Sequence, residues 1–589
     1  MQQRGSNILR NSNKTREAVN QTGPTGLEVI EGLESFMKRI LTKELAKTGG
    51  VTRTVAFDGF PLTDWDTIIE SASYHLRSSG IYYRVFRSDT LKDPNKISMI
   101  ERECLGEDPV FGRVCRKPIS HFFSSEKLSE LKRELSKIRL CRELDLVIVA
   151  GTGSAIRELR DEYDTIVYFD ITREEALSRL RASGSSISTQ SIGPKNLYYI
   201  EFPVSEIHRR RLLKWLDYYV DCNRNKPPLA LSGRDLKKLA SSVATLPFRL
   251  KPIYEPGPWG GQWLKEIRKL PQNWPNCAWS YEVIAPEMSL LVNIEDHVIE
   301  LPWNLFFDLS HREVMGSISR RRFGDEFPVR FDYLDTMDGG DLSIQVHPGS
   351  AYIKKNFNEK FQQGEMYYIV DCKIGKSVNI GLKTREGLKR FKEAAEKAES
   401  DGIAFDYSEF VNNIPVSKHD IVMIPPGTVH GSREGLVVLE ISATTYRYTF
   451  KIYDHLRPDL AGKMRPLHTD HAFRVIRPYR CKEWVENHLV QEPELLYSSE
   501  ECSEYVIARS PEFFHQVNRI EISGHAVFET GGRFHILTLV EGDSIEIRAG
   551  ERIFTLKYSE TIIVPAAAKS YSVVTRGNER CKIVKAFLK

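Results

Sequence analysis

The sequence predicts a multidomain chain in which a parallel α/β domain comes first and an all-β region follows. Three observations carry this expectation. At 589 residues the chain exceeds what one hydrophobic core organises, so three or four domains are expected. From about residue 50 to 230, short apolar runs of strand length alternate with helical stretches, the order of a parallel sheet with crossovers. From about residue 245 onward, β-type runs dominate and Gly/Pro turns recur (EPGPWGG, MDGG, VHPGS, IPPGT, ETGG), which suggests sandwiches or barrels.

The elements follow in order. Residues 1–25 are rich in Asn, Gln, Ser, Thr and Arg and read as a disordered tail. The domain over 26–240 opens with LEVIEGLESFMKRILTKELAK, in which Val29, Leu33, Phe36, Ile40 and Leu41 fall on one helical face. RTVAFDGF, IYYRVF, LDLVIVAGTGS and TIVYFDI are its strands, and DWDTIIESASYHLRSS and REEALSRLRAS are helices between them. The segment 241–480 is a first β domain, with one helical insert, TREGLKRFKEAAEKAESDG, between two strands. The segment 481–589 repeats the β character in FHILTLVEGDSIEI, ERIFTLKY and ETIIVPAAAKSYSVV and reads as a second jelly roll.

Composition narrows the function classes. A formal charge of +4 with 28% charged residues implies neither a nucleic-acid surface nor a membrane-binding one. The nine cysteines are dispersed with no CxxC pair, which fits reduced thiols rather than a disulfide framework. The N-terminal stretch has no apolar core to make it a secretory signal, and no run of eighteen apolar residues occurs. The expectation is a soluble, cytoplasmic protein with a small-molecule partner.

DLSIQVHPGS carries the strongest chemical signal. Gln345 and His347 are two apart in a strand-like stretch, so both side chains share a face and can converge on one ion. Glu365 opens the next apolar run, GEMYYIVD, and His430 follows the Pro425-Pro426-Gly427 turn of HDIVMIPPGTVHG. Two imidazoles, a carboxylate and an amide oxygen suit a divalent ion such as Zn²⁺. A lone strand histidine is more often structural, but here the QxH pair and the PxGxxH turn fall together in one β region. His419, His455, His468 and His471 are read as non-ligands.

LSIQVHP, the glutamate before YIVDCK, PPGTVH followed by VVLE, KIYDHLRP with RPLH downstream, and GPWGGQWL at 257–264 resemble type I mannose-6-phosphate isomerases. The resemblance covers about 250–589. It implies two cupin jelly-roll barrels with a small helical insert, one Zn²⁺ per chain held by Gln345, His347, Glu365 and His430, and interconversion of mannose 6-phosphate and fructose 6-phosphate through an enediol. It further implies Glu440 in proton transfer and Ser343 in binding substrate or phosphate. Lys451 falls where the family carries an arginine, and Arg447 is a stand-in for it. Gln363 occupies a family lysine position, and Arg330 is the basic residue near another. The second barrel has neither QxH nor PxGxxH, so His535 is read as structural. A homodimer is left open.

The order of elements over 26–240 resembles P-loop nucleoside or sugar kinases. FDGFPLTDWDT keeps Gly59 but has no Lys-Ser/Thr after it, and Pro61 removes an amide donor. The expectation is a degenerate kinase-like domain serving regulation, dimerisation or scaffolding, with residual nucleotide binding as the other reading. Two functions follow for the whole chain: a zinc-dependent sugar-phosphate isomerase, or a non-catalytic sugar-phosphate sensor. A metal-dependent dioxygenase ranks third.

Overall fold

The computed structural model describes residues 18–21, 26–46, 51–141, 143–182, 193–223, 226–443, 447–576 and 580–589. Most of the expected tail therefore lies outside the described residues. The chain divides into two compact units, Val19–Val243 with Pro286–Ser310, and Ala244–Ala285 with His311–Lys589.

The first unit is built on a seven-stranded sheet. Its order is Ile30–Glu31, Leu229–Ser232, Tyr218–Asp221, Thr165–Asp170, Arg53–Gly59, Leu146–Ala150, Tyr83–Arg87. The last five are parallel to one another, and numbered along the chain they stand, from the Tyr83–Arg87 edge inward, in the order 2-3-1-4-5. Successive side chains of a strand face opposite ways, so Leu146, Ile148 and Ala150 enter one core while Val147 and Val149 enter the other. The first helix is Leu33–Ala46, shorter than its sequence pattern suggested. Gly32 takes φ +86° and Ile30–Glu31 is drawn into the sheet edge, so Val29 lies outside the helix while Phe36, Ile40 and Leu41 are buried.

A second small sheet belongs to this unit. Val19–Gln21 runs parallel to Ser289–Ile294, which forms a hairpin with His297–Pro302. Two expectations change here. Val19–Gln21 is a strand within the stretch read as a disordered tail, and the 289–302 hairpin packs with the first unit rather than inside the 241–480 domain.

The second unit holds two β-sandwiches. The first pairs a six-stranded sheet (Ile421–Ile424, Glu365–Cys372, Leu436–Ala443, Val329–Asp335, Trp279–Val283, Ile253–Glu255) with a five-stranded one (Val411–Pro415, Ser377–Leu382, His430–Ser432, Ile344–Val346, Phe450–Tyr453). The helical insert is Leu388–Asp401, and Phe391, Ala395 and Ala398 form its buried face. The Trp-Gly-Gly element has a steric reason: a Cβ on Gly261 would lie 2.1 Å from Asp335 Oδ1. The Asp335 carboxylate accepts from the amides of Leu264 (2.7 Å) and Met337 (2.8 Å) and so fastens that element to strand Val329–Asp335.

The second sandwich pairs a six-stranded sheet with a four-stranded one made of His525–Glu529, Ser570–Thr575, Ser544–Ala549 and Arg552–Lys557. Side chains of both sheets, among them Ile520, Leu537, Leu539, Ile547 and Ile583, make one apolar core.

Candidate metal centre

His347, Glu365 and His430 come together in the interior of the first sandwich, with one donor atom of each lying within 4.8 Å of the others. Strand pairing puts them there. Gln345 is the cross-strand partner of His430 on one side and of Lys451 on the other, so these three side chains share a face. Glu365 arrives from the opposing sheet as the first residue of Glu365–Cys372.

The two imidazoles are oriented by the backbone. His347 donates from Nδ1 to the Tyr448 carbonyl (3.1 Å), and His430 from Nδ1 to the Thr428 carbonyl (2.9 Å). Both rings therefore turn Nε2 inward as a lone-pair donor, the arrangement metal-ligating histidines adopt. His347 Nε2 lies 2.9 Å from Glu365 Oε1, and His430 Nε2 lies 3.3 Å from Glu365 Oε2. Yet His347 Nε2 and Glu365 Oε2 have no hydrogen-bond partner among the described residues. Buried polar atoms that converge without bonding fit a cation between them. Burial lowers the His347 pKa against the pull of Glu365, which favours the neutral ring a metal requires.

Gln345 stands beside the triad, with its amide Nε2 3.3 Å from His430 Nε2 and its Oε1 accepting from Ser343 Oγ at 2.9 Å. Presenting Oε1 to an ion takes a half-turn of the amide, after which Ser343 meets the NH₂ group. Of the other histidines, His419 bonds Glu541 and Tyr368, His455 the Leu342 carbonyl and His471 the Tyr352 hydroxyl.

A second polar group lines the wall beyond Glu365. Arg330 is 5% exposed and donates to Glu440 (2.6 Å), Ser442 Oγ (2.5 Å) and Glu365 (3.3 Å). The sequence marked Arg330 only as a nearby base. Its pairing with Glu440 depends on the register of two strands a hundred residues apart, in which Asp332 faces Glu440 and Arg330 faces Ser442. Burial, then Asp332 and Glu365, raise the Glu440 pKa well above the usual carboxylate range, against the pull of Arg330. Burial takes Asp332 to about 7. Gln363 donates to Glu365 at 2.7 Å, and its own Oε1 has no partner among the described residues.

Lys451 shares the interior face with Gln345, and burial, then Arg465, lower its pKa to about 8. Arg447 is half-buried beside Tyr448, on the segment leading into Phe450–Tyr453.

Comparison with known proteins finds a family model for the first part of the chain and relatives that cover about half of it. A family model described as a domain of unknown function (DUF8485) matches residues 32–245. Mannose-6-phosphate isomerase ManA of Bacillus subtilis is 26% identical over 332 residues, 55% of this chain and 94% of that protein. The probable mannose-6-phosphate isomerase GmuF of the same organism is 28% identical over 316 residues, 52% of this chain and 89% of that protein. The crystal structure of the Bacillus subtilis mannose 6-phosphate isomerase is 22% identical with a TM-score of 0.47, covering 58% of this chain and 99% of that one. Over about half its length, this chain is homologous to mannose-6-phosphate isomerases.

Proposed function

We propose that the chain is a zinc-dependent aldose–ketose isomerase that interconverts mannose 6-phosphate and fructose 6-phosphate. The observation that supports it most is the buried His347–Glu365–His430 triad, with both rings fixed through Nδ1 and with Glu440 and Lys451 facing the same interior. The sequence homology to mannose-6-phosphate isomerases agrees with it.

In this reading His347, Glu365, His430 and Gln345 hold one Zn²⁺ per chain. The ion supplies positive charge that orients sugar oxygens and stabilises an oxyanion. Isomerisation moves a proton between C1 and C2 of the sugar by way of an enediol. Glu440 is the group we assign to that transfer, because it is a buried carboxyl on the interior face and burial raises its pKa, which makes it a stronger proton acceptor than an ordinary one. Arg330 orients it through the 2.6 Å bond. Lys451 places a cation by the developing oxyanion, and Ser343 and Arg447 bind substrate.

We read the second unit's sandwiches as two cupin jelly rolls and the first unit as a degenerate kinase-like domain. Asp58, at the end of the central strand, accepts from the amides of Gly59 (2.7 Å), Gly153 (2.8 Å) and Ala155 (2.8 Å) and pairs with His208 (2.7 Å). Asp64 caps helix Trp65–Ser78 by accepting from the Thr67 amide. The chain's own carboxylates thus use donors that a nucleotide phosphate would need, which favours a scaffolding role.

The second reading is a non-catalytic sugar-phosphate sensor, and it draws on Arg330 already being bound to two carboxylates. A coupled assay with mannose 6-phosphate on zinc-loaded chain, beside His430→Ala, decides between them. Turnover lost in the variant supports the isomerase. A chain that keeps one zinc and binds mannose 6-phosphate without turnover overturns it in favour of the sensor.

A further inference from the structure

A phosphate monoester brings a dianion, and inside the first sandwich Arg330 is already bonded to Glu440 and Glu365 while Lys451 is assigned to the developing oxyanion. Positive charge collects in another place on the same unit. A cleft of about 620 Å³ is lined by Lys355, Arg474, Arg477 and Arg480; among the described residues Glu512 is the one carboxylate on its lining, and Asp470, outside that lining, pairs with Arg474 at 2.9 Å.

Three features make this cleft more than a basic patch. Helix Ser350–Phe357 begins in it, with Gly349, Ser350 and Ala351 on its lining and no side chain capping the first turn. Those amides are donors left open to an anion. Arg480 is 3% exposed; it directs Nη1 to the carbonyls of Pro425 (3.0 Å) and Pro426 (2.7 Å) and to Thr428 Oγ1 (2.8 Å), and Nη2 to Glu512 (2.6 Å). Its Nε, also buried, has no hydrogen-bond partner among the described residues. Finally, the cleft adjoins the metal centre through the chain itself. Pro426 lines it, and the neighbouring Gly427 accepts from the Arg477 amide (2.8 Å) while donating to the His347 carbonyl (2.8 Å).

We propose that this cleft is a phosphate-monoester binding site, formed by Lys355, Arg474, Arg477 and the amides at the start of helix Ser350–Phe357. It requires neither metal nor turnover. Its ligand is the phosphate end of a sugar-phosphate substrate or a separate phosphorylated effector, and the chemistry of recognition is the same for both.

Calorimetric titration of the full chain with inorganic phosphate tests the site. Four proteins are compared: wild type, Lys355→Ala/Arg477→Ala, His430→Ala, and Lys389→Ala/Lys392→Ala. The last pair lines an adjoining groove that shares Arg474, so it removes equal charge next to the cleft. Both cleft residues are exposed, and Arg480 stays in place to hold the turn. The expected result is binding weakened about tenfold or more in the cleft variant alone, a change of ~1.4 kcal/mol. Unchanged binding in that variant, equal weakening in the groove variant, or no phosphate binding by wild type overturns the site. The His430→Ala arm separates this outcome from failure of the isomerase reading. Kinetics with mannose 6-phosphate then identifies the source. A raised KM at constant kcat in the cleft variant assigns the substrate's own phosphate, and unchanged kinetics with lost phosphate binding assigns an effector.

Discussion

The two sandwiches of the second unit can be compared position by position. In the first, Glu365 opens a central strand, and strand Ile421–Ile424 runs through Pro425, Pro426 and Gly427 into His430. In the second, His535 opens the corresponding strand His535–Glu541, and Thr561–Val564 runs through Pro565 and three alanines to Lys569 and Ser570. Gly427 takes φ +89° three residues past its strand and Lys569 φ +62° five residues past its own, so both turns use a positive φ but at different steps. The outcomes differ. His430 is fully buried and aimed at Glu365, whereas Ser570 is exposed and His535 bonds the Tyr571 hydroxyl at 3.0 Å. The same frame therefore accepts converging donors that would hold a cation, or an interior whose buried His535 and Lys585–Glu504 pair already bond to their own partners, and a few strand-end residues decide which.

The largest effect should come from breaking that asymmetry directly. His347→Ala or His430→Ala removes a donor from the triad, so zinc per chain after dialysis, read by atomic emission, should fall from one to near zero. His535→Ala should leave the zinc content unchanged. Equal loss in both would show that the ion is not held where the triad lies.

Next in size is Arg330→Met. It leaves Glu440 and Glu365 buried without their cation, which costs about 3–5 kcal/mol by analogy with other buried pairs. Leu537→Ala in the second sandwich should cost about 2–5 kcal/mol through a cavity alone. Urea midpoints measure both, and Glu440→Gln tells the causes apart. It should recover part of the Arg330→Met loss because the two residues are coupled, and nothing of the Leu537→Ala loss. A purely additive Arg330/Glu440 pair would mean the ion pair contributes little.

Smaller again is Gly427→Ala. A Cβ there would lie 2.7 Å from Arg477 Cγ and 2.8 Å from the Val475 carbonyl, in a left-handed backbone, for a loss of about 1–3 kcal/mol. Because Gly427 donates to the His347 carbonyl, zinc affinity measured by chelator competition should fall as well. Stability lost at constant zinc affinity would separate the turn from the site.

These positions also show what the sequence could disclose. Gln345, His347 and the PPGTVH turn were legible because a period of two and a turn motif fix local direction without any knowledge of partners. The strands of the parallel sheet were legible for the same reason, from runs such as LDLVIVA. The Arg330–Glu440–Glu365 linkage was hidden because it exists only in the register between distant strands. The 289–302 hairpin was assigned to the wrong unit because its alternating pattern reads alike whichever core it faces. Helix Leu33–Ala46 was overextended because apolar periodicity continues through Gly32, where the backbone leaves the helical region.

The smallest effect concerns the closed interior of the second sandwich. Burial, then Lys585 and Arg533, lower the His535 pKa from 6.5 to about 3, so the folded chain keeps this ring neutral where the unfolded chain protonates it. Between pH 6.5 and about 3 the unfolded state binds the extra proton, so stability from this residue is complete above 6.5 and declines as pH falls. The slope is at most on the order of 1.4 kcal/mol per pH unit. His535→Leu should lose about 1 kcal/mol at pH 7 through the Tyr571 hydrogen bond. It should then lose less than wild type on going to pH 4.5, so the two urea midpoints converge or cross. Parallel midpoints across that range would mean that His535 titrates normally in the folded chain.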